Sequence, residues 1–291
     1  METANPKILS GKEFAQHRKK LIQDRIDKLT AKFGHVPKMS LATIQVVDSP
    51  DTQLYSKSLK KILDQYGIEH IEIVCRSTDE LEKKANSLFT DKNLTGVMLF
   101  SPIPPSINPK NVFLNMPLRK DVEGRTFIKR NPFGVFSPTA KAAMALLESI
   151  KHLDPKFTIK GKHAVMVGHS DLVGKPTAIL LSDDGATVTV CHQYTQNLNK
   201  YVADADILIV AIGRPGVVKA EWVKDGAVVI DVGENMVDGK IVGDIDFEAT
   251  LKRASYISPV PGGVGPLTNL MVIENLLTLY EFDKDGANGN R

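Results

Sequence analysis

The amino-acid sequence predicts an α/β protein of two domains, and three observations carry that expectation. Short apolar runs alternate with amphipathic stretches almost throughout, the pattern of strands joined by helical crossovers and therefore of mostly parallel sheets. The chain has 291 residues, which favours two ordinary domains over one. The helix-like stretch SPTAKAAMALLESIK (137–151) follows a Pro/Gly-rich segment and precedes the loop HLDPKFTIKGK, after which the alternation begins again. The boundary is placed at 147/148, with 148–266 as the second domain and the last helix returning to the first.

Taken in order, a first helix is expected over Gly11–Phe33, with Phe14, Leu21, Ile22, Ile26 and Leu29 on one face. Strand SLATIQVV (40–47) follows, then a helix from about Asp51 to Tyr66 and strand IEIVCR (71–76). The next helix opens at the Ser77–Thr78–Asp79 cap and leads to strand GVMLFSP (96–102). The second domain reads HAVMVG (163–168), a helix near 174–183, TVTVC (187–191), ADILIVAIG (205–213) and AVVIDVG (227–233). SPVPGGVGP (258–266) then enters a helix over 267–281, and the tail DKDGANGNR reads as frayed.

With 42% hydrophobic and 24% charged residues the composition is that of a soluble globular protein. Apolar runs such as Ala227–Ile230 are far too short to span a bilayer, so no membrane partner is expected. The start METANPKILSGKEFAQHRKK shows no signal-peptide pattern, and a cytoplasmic address follows by default. Cys75 and Cys191 are too few for a disulfide framework and lack C-x-x-C spacing, so both are read as inert thiols and no metal is expected. The net charge of +3, without a block of basic residues, argues against nucleic acid and suffices for a small anionic ligand.

Strand HAVMVG runs into HSDLVGKPTAILL, a glycine-bearing turn between strand and helix, where helix N-terminal N–H groups can hold a phosphate. The spacing is Gly168-x-Ser170-x-x-x-Gly174 rather than G-x-G-x-x-G. A tight turn that binds nothing is the alternative. About 20 residues on, where an acid takes the ribose hydroxyls in NAD-binding folds, stands Cys191–Thr195, with neither carboxylate nor arginine.

VGHSDLVGKP (167–176), ATVTVCH (186–192), ADILIVAIGRPG (205–216), GAVVIDVGEN (226–235), GDIDF (243–247) and SPVPGGVGPLT (258–268) resemble the methylenetetrahydrofolate dehydrogenase/methenyltetrahydrofolate cyclohydrolase family. SPDTQLYSKSLKKILDQYGI (49–68), GVMLFSPIP (96–104) and LRKDVEGR (118–125) occupy the matching places in the first half. The resemblance implies an N-terminal folate domain and a C-terminal Rossmann-like domain, joined by two long helices with the cleft between them. It also implies NADP or NAD as cofactor, a folate substrate and a homodimer. It puts Gly262, Gly263 and Pro266 along the folate. On the nucleotide side it puts Gly168, His169, Ser170, Gly174, Lys175, Pro176, His192, Gln193, Thr195, Gly213, Glu234 and Thr268.

Carried over residue by residue, the family's Tyr-x-x-x-Lys becomes Tyr55 and Leu59, its glutamine becomes Phe100, and its K-D-V-D-G becomes Asp121 and Glu123. The family's frequent arginine after the first glycine is His169, the serine of CHS is Gln193, and the isoleucine of DVGIN is Glu234. Cyclohydrolase chemistry adds water to the methenyl bridge and moves protons, which the family's lysine suits and leucine cannot do. Hydride transfer mainly needs two rings held face to face; Tyr55 can stack, and Glu123 could accept from the pterin amine. The loss of groups for a 2′-phosphate argues against strong NADP preference.

The expectation is therefore a dehydrogenase whose cyclohydrolase activity is lost or very weak. Two alternatives stand beside it: a non-catalytic folate- or nucleotide-binding relative in which Leu59 and Phe100 only pack, and the same fold acting on a different one-carbon carrier. His192 reads as structural or nucleotide-adjacent rather than as a general base. Lys57, Lys60 and Lys61 read as a solvated face, with a role toward an anionic folate tail as the lesser reading.

Overall fold

A computed structural model describes residues 7–46, 50–125 and 134–287. Two compact units emerge. One comprises Lys19–Pro138 and Asn269–Arg291, the other Met1–Arg18 and Thr139–Thr268.

The first unit is built on a three-stranded parallel sheet of order β2-β1-β3. β1 (Ser40–Gln45) lies in the middle and every residue of it is buried, as is β3 (Gly96–Leu99); β3 reads as a continuous apolar run, whereas β1 also buries the polar Ser40, Thr43 and Gln45. β2 (Glu69–Val74) is an edge strand that exposes charged positions. α2 (Pro50–Gln65) and α3 (Thr78–Thr90) follow the expected alternation, and the short α4 (Lys110–Asn115) is an element that the sequence reading did not anticipate; α1 (Gly11–Phe33) and α5 (Pro138–Glu148), both expected, are divided between the two units. Ser77 caps α3 by accepting from the Glu80 N–H, and the Glu80 carboxylate accepts in return from the Arg76 N–H at 2.9 Å. On α2, Leu59 and Leu63 point into the core, while Lys57, Lys60 and Lys61 are exposed.

The second unit holds a five-stranded parallel sheet of order β10-β7-β6-β4-β5. Its strands are β4 (His163–Val167), β5 (Thr187–Cys191), β6 (Ile207–Val210), β7 (Val228–Asp231) and β10 (Tyr256–Ile257). β6 and β7 are buried throughout. Their core includes Val165, Leu208, Val210, Val229 and Ile257. α6 (Gly174–Asp183) and α7 (Leu198–Ala203) connect the strands, and α8 (Phe247–Leu251) precedes β10. A separate antiparallel ribbon pairs β8 (Asn235–Val237) with β9 (Lys240–Val242). α9 (Gly265–Ala287) closes the described chain.

The division differs from the expected boundaries. It falls inside α1, at the start of α5 and inside α9, and residues 1–18 group with the second unit. The Leu9 N–H donates to the Ile257 carbonyl and the Gly11 N–H to the Gly262 carbonyl, both at 2.8 Å, which ties the chain's start to β10. The last helix begins two residues earlier than expected and runs to Ala287, so part of the tail read as frayed is helical; residues 288–291 lie outside the described residues. Several ladders are shorter than the expected strands, as at Ile207–Val210, where Ala205 and Ile212 continue past the ladder into packed turns, whereas β2 begins two residues earlier than expected, at Glu69.

Candidate functional site

Tyr55, Leu59, Phe100, Asp121 and Glu123 all belong to the first unit. One helical turn separates Tyr55 from Leu59 on α2, and Leu59 is fully buried. Phe100 follows β3, its N–H donating to the Ile44 carbonyl at 2.9 Å. Its ring meets the edge of Tyr55, centroids 5.1 Å apart and planes at 66°. Burial, and then the charge of Glu123, push the Tyr55 hydroxyl well above its ordinary range.

Glu123 is positioned from three sides. Its carboxylate accepts from the Leu99 N–H at 2.9 Å, from Arg125 Nε at 2.8 Å and from Arg125 Nη2 at 3.1 Å. Arg125 also donates to the Leu99 carbonyl at 2.9 Å and lies over the Phe113 ring at 4.7 Å. Burial pushes the Glu123 carboxyl up against the opposing pull of Arg125. The carboxylate that is expected to be able to accept from a pterin amine is thus already held by protein donors. Arg125 was not singled out in the sequence; a guanidinium two residues after a buried acid is the signal that could have found it. Asp121 is fully buried and bridges to Val97 of β3. Asn275 of α9 anchors the segment by donating to the Val122 and Phe136 carbonyls, both at 2.8 Å.

In the second unit a cavity of about 430 Å³ opens beyond the ends of β4, β5 and β6, lined by Gly168, His169, Ser170, His192, Gln193, Thr195 and Arg214 among others. Gly168 has φ +127°, and a Cβ there would lie 2.2 Å from the Ala211 carbonyl oxygen. A Cβ on Gly174 would lie equally close to the Gly168 carbonyl. Both glycines are thus required by the packing of the turn itself, whether or not it holds a phosphate. Ser170 Oγ accepts from the N–H groups of Val173 and Gly174 at 3.1 and 3.4 Å, so the serine caps the first turn of α6. Pro176 sits in that turn, where no N–H is required. Lys175 is paired with Asp171.

The His192–Thr195 segment is a tight turn: Thr195 Oγ1 accepts from the His192 N–H at 2.8 Å, and the Thr195 N–H donates to the His192 carbonyl at 2.9 Å. Gly213, with φ +70°, donates its N–H to Asp244 at 3.0 Å. Asp244 also accepts from the N–H groups of Ile212 and Arg214 and from Asn235. Behind it, Asp231 accepts from Gly233, Asp244 and Ile245, and burial raises its carboxyl to about 6. Sequence reasoning missed both aspartates as the pins of this loop. Their signal lay in VVIDVG and GDIDF, where each acid is flanked by a glycine that leaves no room for a side chain.

Glu234 lies with Oε1 2.7 Å from where a Cβ on Gly265 would stand, and desolvation pushes its carboxyl up. Gly262 adopts φ +111°, and a Cβ on Gly11 would fall 1.7 Å from the Gly263 carbonyl oxygen. Pro266 and Thr268 lie in the first turn of α9, Thr268 Oγ1 reaching the Val264 carbonyl at 3.5 Å. Gly262, Gly263, Pro266 and Thr268 belong to the second unit. The two cysteines are buried, and among the described residues no cluster of His, Cys, Asp and Glu is arranged to hold a metal.

Residues 9–123 match the family model described as tetrahydrofolate dehydrogenase/cyclohydrolase, catalytic domain, and residues 137–284 match the corresponding NAD(P)-binding domain. The bifunctional protein FolD of Halothermothrix orenii is 41% identical over 283 residues, covering 95% of this chain and 98% of that one. That of Streptococcus uberis is 39% identical, covering 92% and 95%. Among solved structures, the Campylobacter jejuni methylenetetrahydrofolate dehydrogenase/cyclohydrolase superposes with a TM-score of 0.85 at 35% identity, covering 94% of this chain and 98% of that one. The Trypanosoma brucei enzyme, complexed with NADP and an inhibitor, gives 0.81 at 32%, covering 94% and 96%.

Proposed function

The chain belongs to the tetrahydrofolate dehydrogenase/cyclohydrolase family, and from that premise we propose that it is a methylenetetrahydrofolate dehydrogenase using NAD or NADP, with cyclohydrolase activity lost or very weak. The observation that supports the second clause is that Leu59 is fully buried one turn from Tyr55; by the resemblance to the family's Tyr-x-x-x-Lys, we read it as standing where that lysine would be. A hydrocarbon side chain can neither deliver nor remove the proton that hydrolysis of the methenyl bridge requires.

Hydride transfer asks less of the side chains, because the folate nitrogens stabilise the developing cation. In this reading Tyr55 offers ring surface to the pterin, with the buried Phe100 packed edge-on against it, and Glu123, held by Arg125 and the Leu99 N–H, keeps a fixed carboxylate at its end. The Gly168–Gly174 turn would hold the nucleotide phosphates, with His169, Lys175 and Pro176 beside it. His192, Gln193 and Thr195 would meet the adenosine ribose, and Gly213, Glu234 and Thr268 the rest of the cofactor. When bound, the nicotinamide accepts the hydride.

The test is to follow NAD(P)H formation from methylenetetrahydrofolate together with the fate of the methenyl product. Accumulating methenyl compound supports the proposal, and its rapid hydrolysis would remove the cyclohydrolase clause. Calorimetry showing that neither NAD nor NADP binds would remove the enzyme reading altogether. One observation favours a different one-carbon carrier as the second reading: the Glu123 oxygens are already engaged by Arg125 and Leu99. Preferential turnover of another reduced pterin would select it.

The same reading takes the protein as a cytoplasmic homodimer. The exposed Met236, Val237 and Ile241 on the β8–β9 ribbon fit burial against a second copy. Light scattering that returns a monomer mass would remove that part.

A further inference from the structure

A second cavity, of about 330 Å³, lies within the first unit. Its walls come from Lys38, just before β1, from residues 92–95, which lead into β3, from Arg119 and Lys120 of the single helical turn Leu118–Lys120, and from the later turns of α9. β1 and β3 run parallel, so the cavity stands at their amino ends, whereas Phe100 follows the carboxyl end of β3. From Thr95 to Phe100 the extended chain spans roughly 16 Å. Parallel sheets usually bind their ligands at the carboxyl ends, and a pocket at the other end is separate from the Tyr55–Phe100 cluster.

The cavity is strongly basic. Lys38, Lys92, Arg119, Lys120 and Lys284 line it, against one lining carboxylate, Asp283. The whole chain carries a net charge of only +3, so its positive excess is concentrated here. Asp283 approaches Arg119 at 3.7 Å, but both side chains are more than half exposed, and such a pair offsets little. The Lys120 ammonium donates to the carbonyls of Asp91 and Leu94, which fixes it in the wall. Burial pushes its pKa down against the pull of Asp283 and Asp91, as expected of an ammonium short of counter-charge.

Lysines on a convex surface are ordinarily a solvated face. Here they surround a hollow that also contains an unpaired donor. Tyr280 of α9 lines the cavity and is 5% exposed, and its buried hydroxyl has no hydrogen-bond partner among the described residues. Leaving a buried hydroxyl unpaired is costly, and an anionic oxygen would relieve that cost. One turn farther on, the Lys284 ammonium lies over the Tyr280 ring at 5.6 Å, so hydroxyl and charge belong to one wall. The lysines converge from three separate segments, which suits a tetrahedral anion better than a planar carboxylate. The volume is at the small end for ligand pockets and too tight for a dinucleotide.

We propose that this cavity binds a small phosphate-bearing molecule, the phosphate held by Lys38, Lys92 and Lys284 with the Tyr280 hydroxyl as a further donor. The site is independent of the nucleotide reading of the second unit.

The experiment is calorimetric titration of the full chain at constant ionic strength and about pH 8, where phosphate is a dianion. The probes are inorganic phosphate, glycerol phosphate as an organic monoester, and malonate as a dicarboxylate of like charge, each with and without NADP. At least one phosphate is expected to bind with a Kd of about 1 mM or tighter, malonate about fivefold more weakly or worse, and NADP to change neither. Tighter glycerol phosphate supports an organic phosphate as the occupant, and tighter inorganic phosphate supports the free anion. Lys92→Gln with Lys284→Gln is expected to weaken phosphate about tenfold or more; Lys92 is exposed and Lys284 half-buried, so the fold should tolerate the change. Tyr280→Phe keeps the ring, should unfold no more easily than the parent, and is expected to weaken phosphate about threefold to tenfold. Absence of phosphate binding, equal binding of malonate, or an unchanged affinity in either variant would overturn the proposal. Displacement of phosphate by NADP would overturn it too, by assigning the phosphate to the second unit's turn.

Discussion

The Tyr55 ring meets Phe100 edge-on at 5.1 Å, and one turn along the same helix Leu59 is sealed in the core. A proton-moving group at position 59 thus needs both an amine and an opening. Leu59→Lys alone buries an ammonium and is expected to cost about 2–4 kcal/mol with little gain in hydrolysis. Leu59→Lys with Phe100→Gln removes the adjacent ring and supplies a polar neighbour. Methenyl hydrolysis followed spectroscopically is expected to rise at least about tenfold in the double variant, within the usual worth of a positioned acid or base. No rise in a folded double variant would show that the rest of the pocket cannot support the reaction.

Glu123 and Arg125 form a pair with almost no solvent access, their side chains 3% and 14% exposed. Arg125→Leu leaves the carboxylate buried without its main counter-charge, and the expected loss is about 3–5 kcal/mol in denaturant unfolding. Burial already raises the Glu123 carboxyl, and the variant raises it further. A carboxyl raised in the folded state favours folding while protonated, so the variant should lose stability as pH rises through that higher value. Adding Glu123→Gln should recover most of the loss and abolish the pH dependence. A single variant as stable as the parent at both ends of the range would show the pair to be dispensable.

The order of strands and helices was legible because buried strands such as Gly96–Leu99 and Ile207–Val210 are runs of apolar residues between polar turns. What escaped were short elements with no periodicity to read. The β8–β9 ribbon turns at Asp238–Gly239, both at positive φ, and its strands have only three residues each. Tyr55, Phe100 and Glu123 were singled out through the family resemblance, and the fold brings Tyr55 against Phe100 and within the field of Glu123. The Arg125 clamp and the Asp244 loop pin were not, because each depends on a side chain meeting backbone N–H or carbonyl groups brought close only by the fold. Composition carries no trace of such a contact.

Asp231 makes a prediction about pH and folding. Its carboxyl is raised to about 6 by burial, against an unfolded value of about 4. Its contribution is fully present below about pH 4 and is lost as pH rises through about 6, because the folded state holds the proton more tightly. The loss for this group is on the order of 2–3 kcal/mol. Asp231→Asn should remove that slope, so the stability difference between parent and variant changes across the interval. A constant difference would mean that Asp231 titrates alike in both states.

Gly168 gives the last test, because its backbone and its surroundings exclude a side chain for separate reasons. Its φ of +127° lies where L-residues are strained, and an added Cβ would stand 2.2 Å from the Ala211 carbonyl oxygen. Alanine at this position must therefore move the turn between β4 and α6 or push back the loop after β6, at a cost of about 2–3 kcal/mol. That later loop is pinned by Asp244 through three backbone N–H groups, so the turn is the part that yields. Gly168→Ala is expected to weaken both NAD and NADP about tenfold or more without changing their ratio, since the phosphate cradle precedes any choice at the 2′ position. Gly213→Ala serves as the comparison: φ is +70° but no atom lies within 4 Å of the added carbon, so strain alone should apply. Equal losses in the two variants would assign the effect to backbone strain and remove the close approach of Gly168 and Ala211 as its cause.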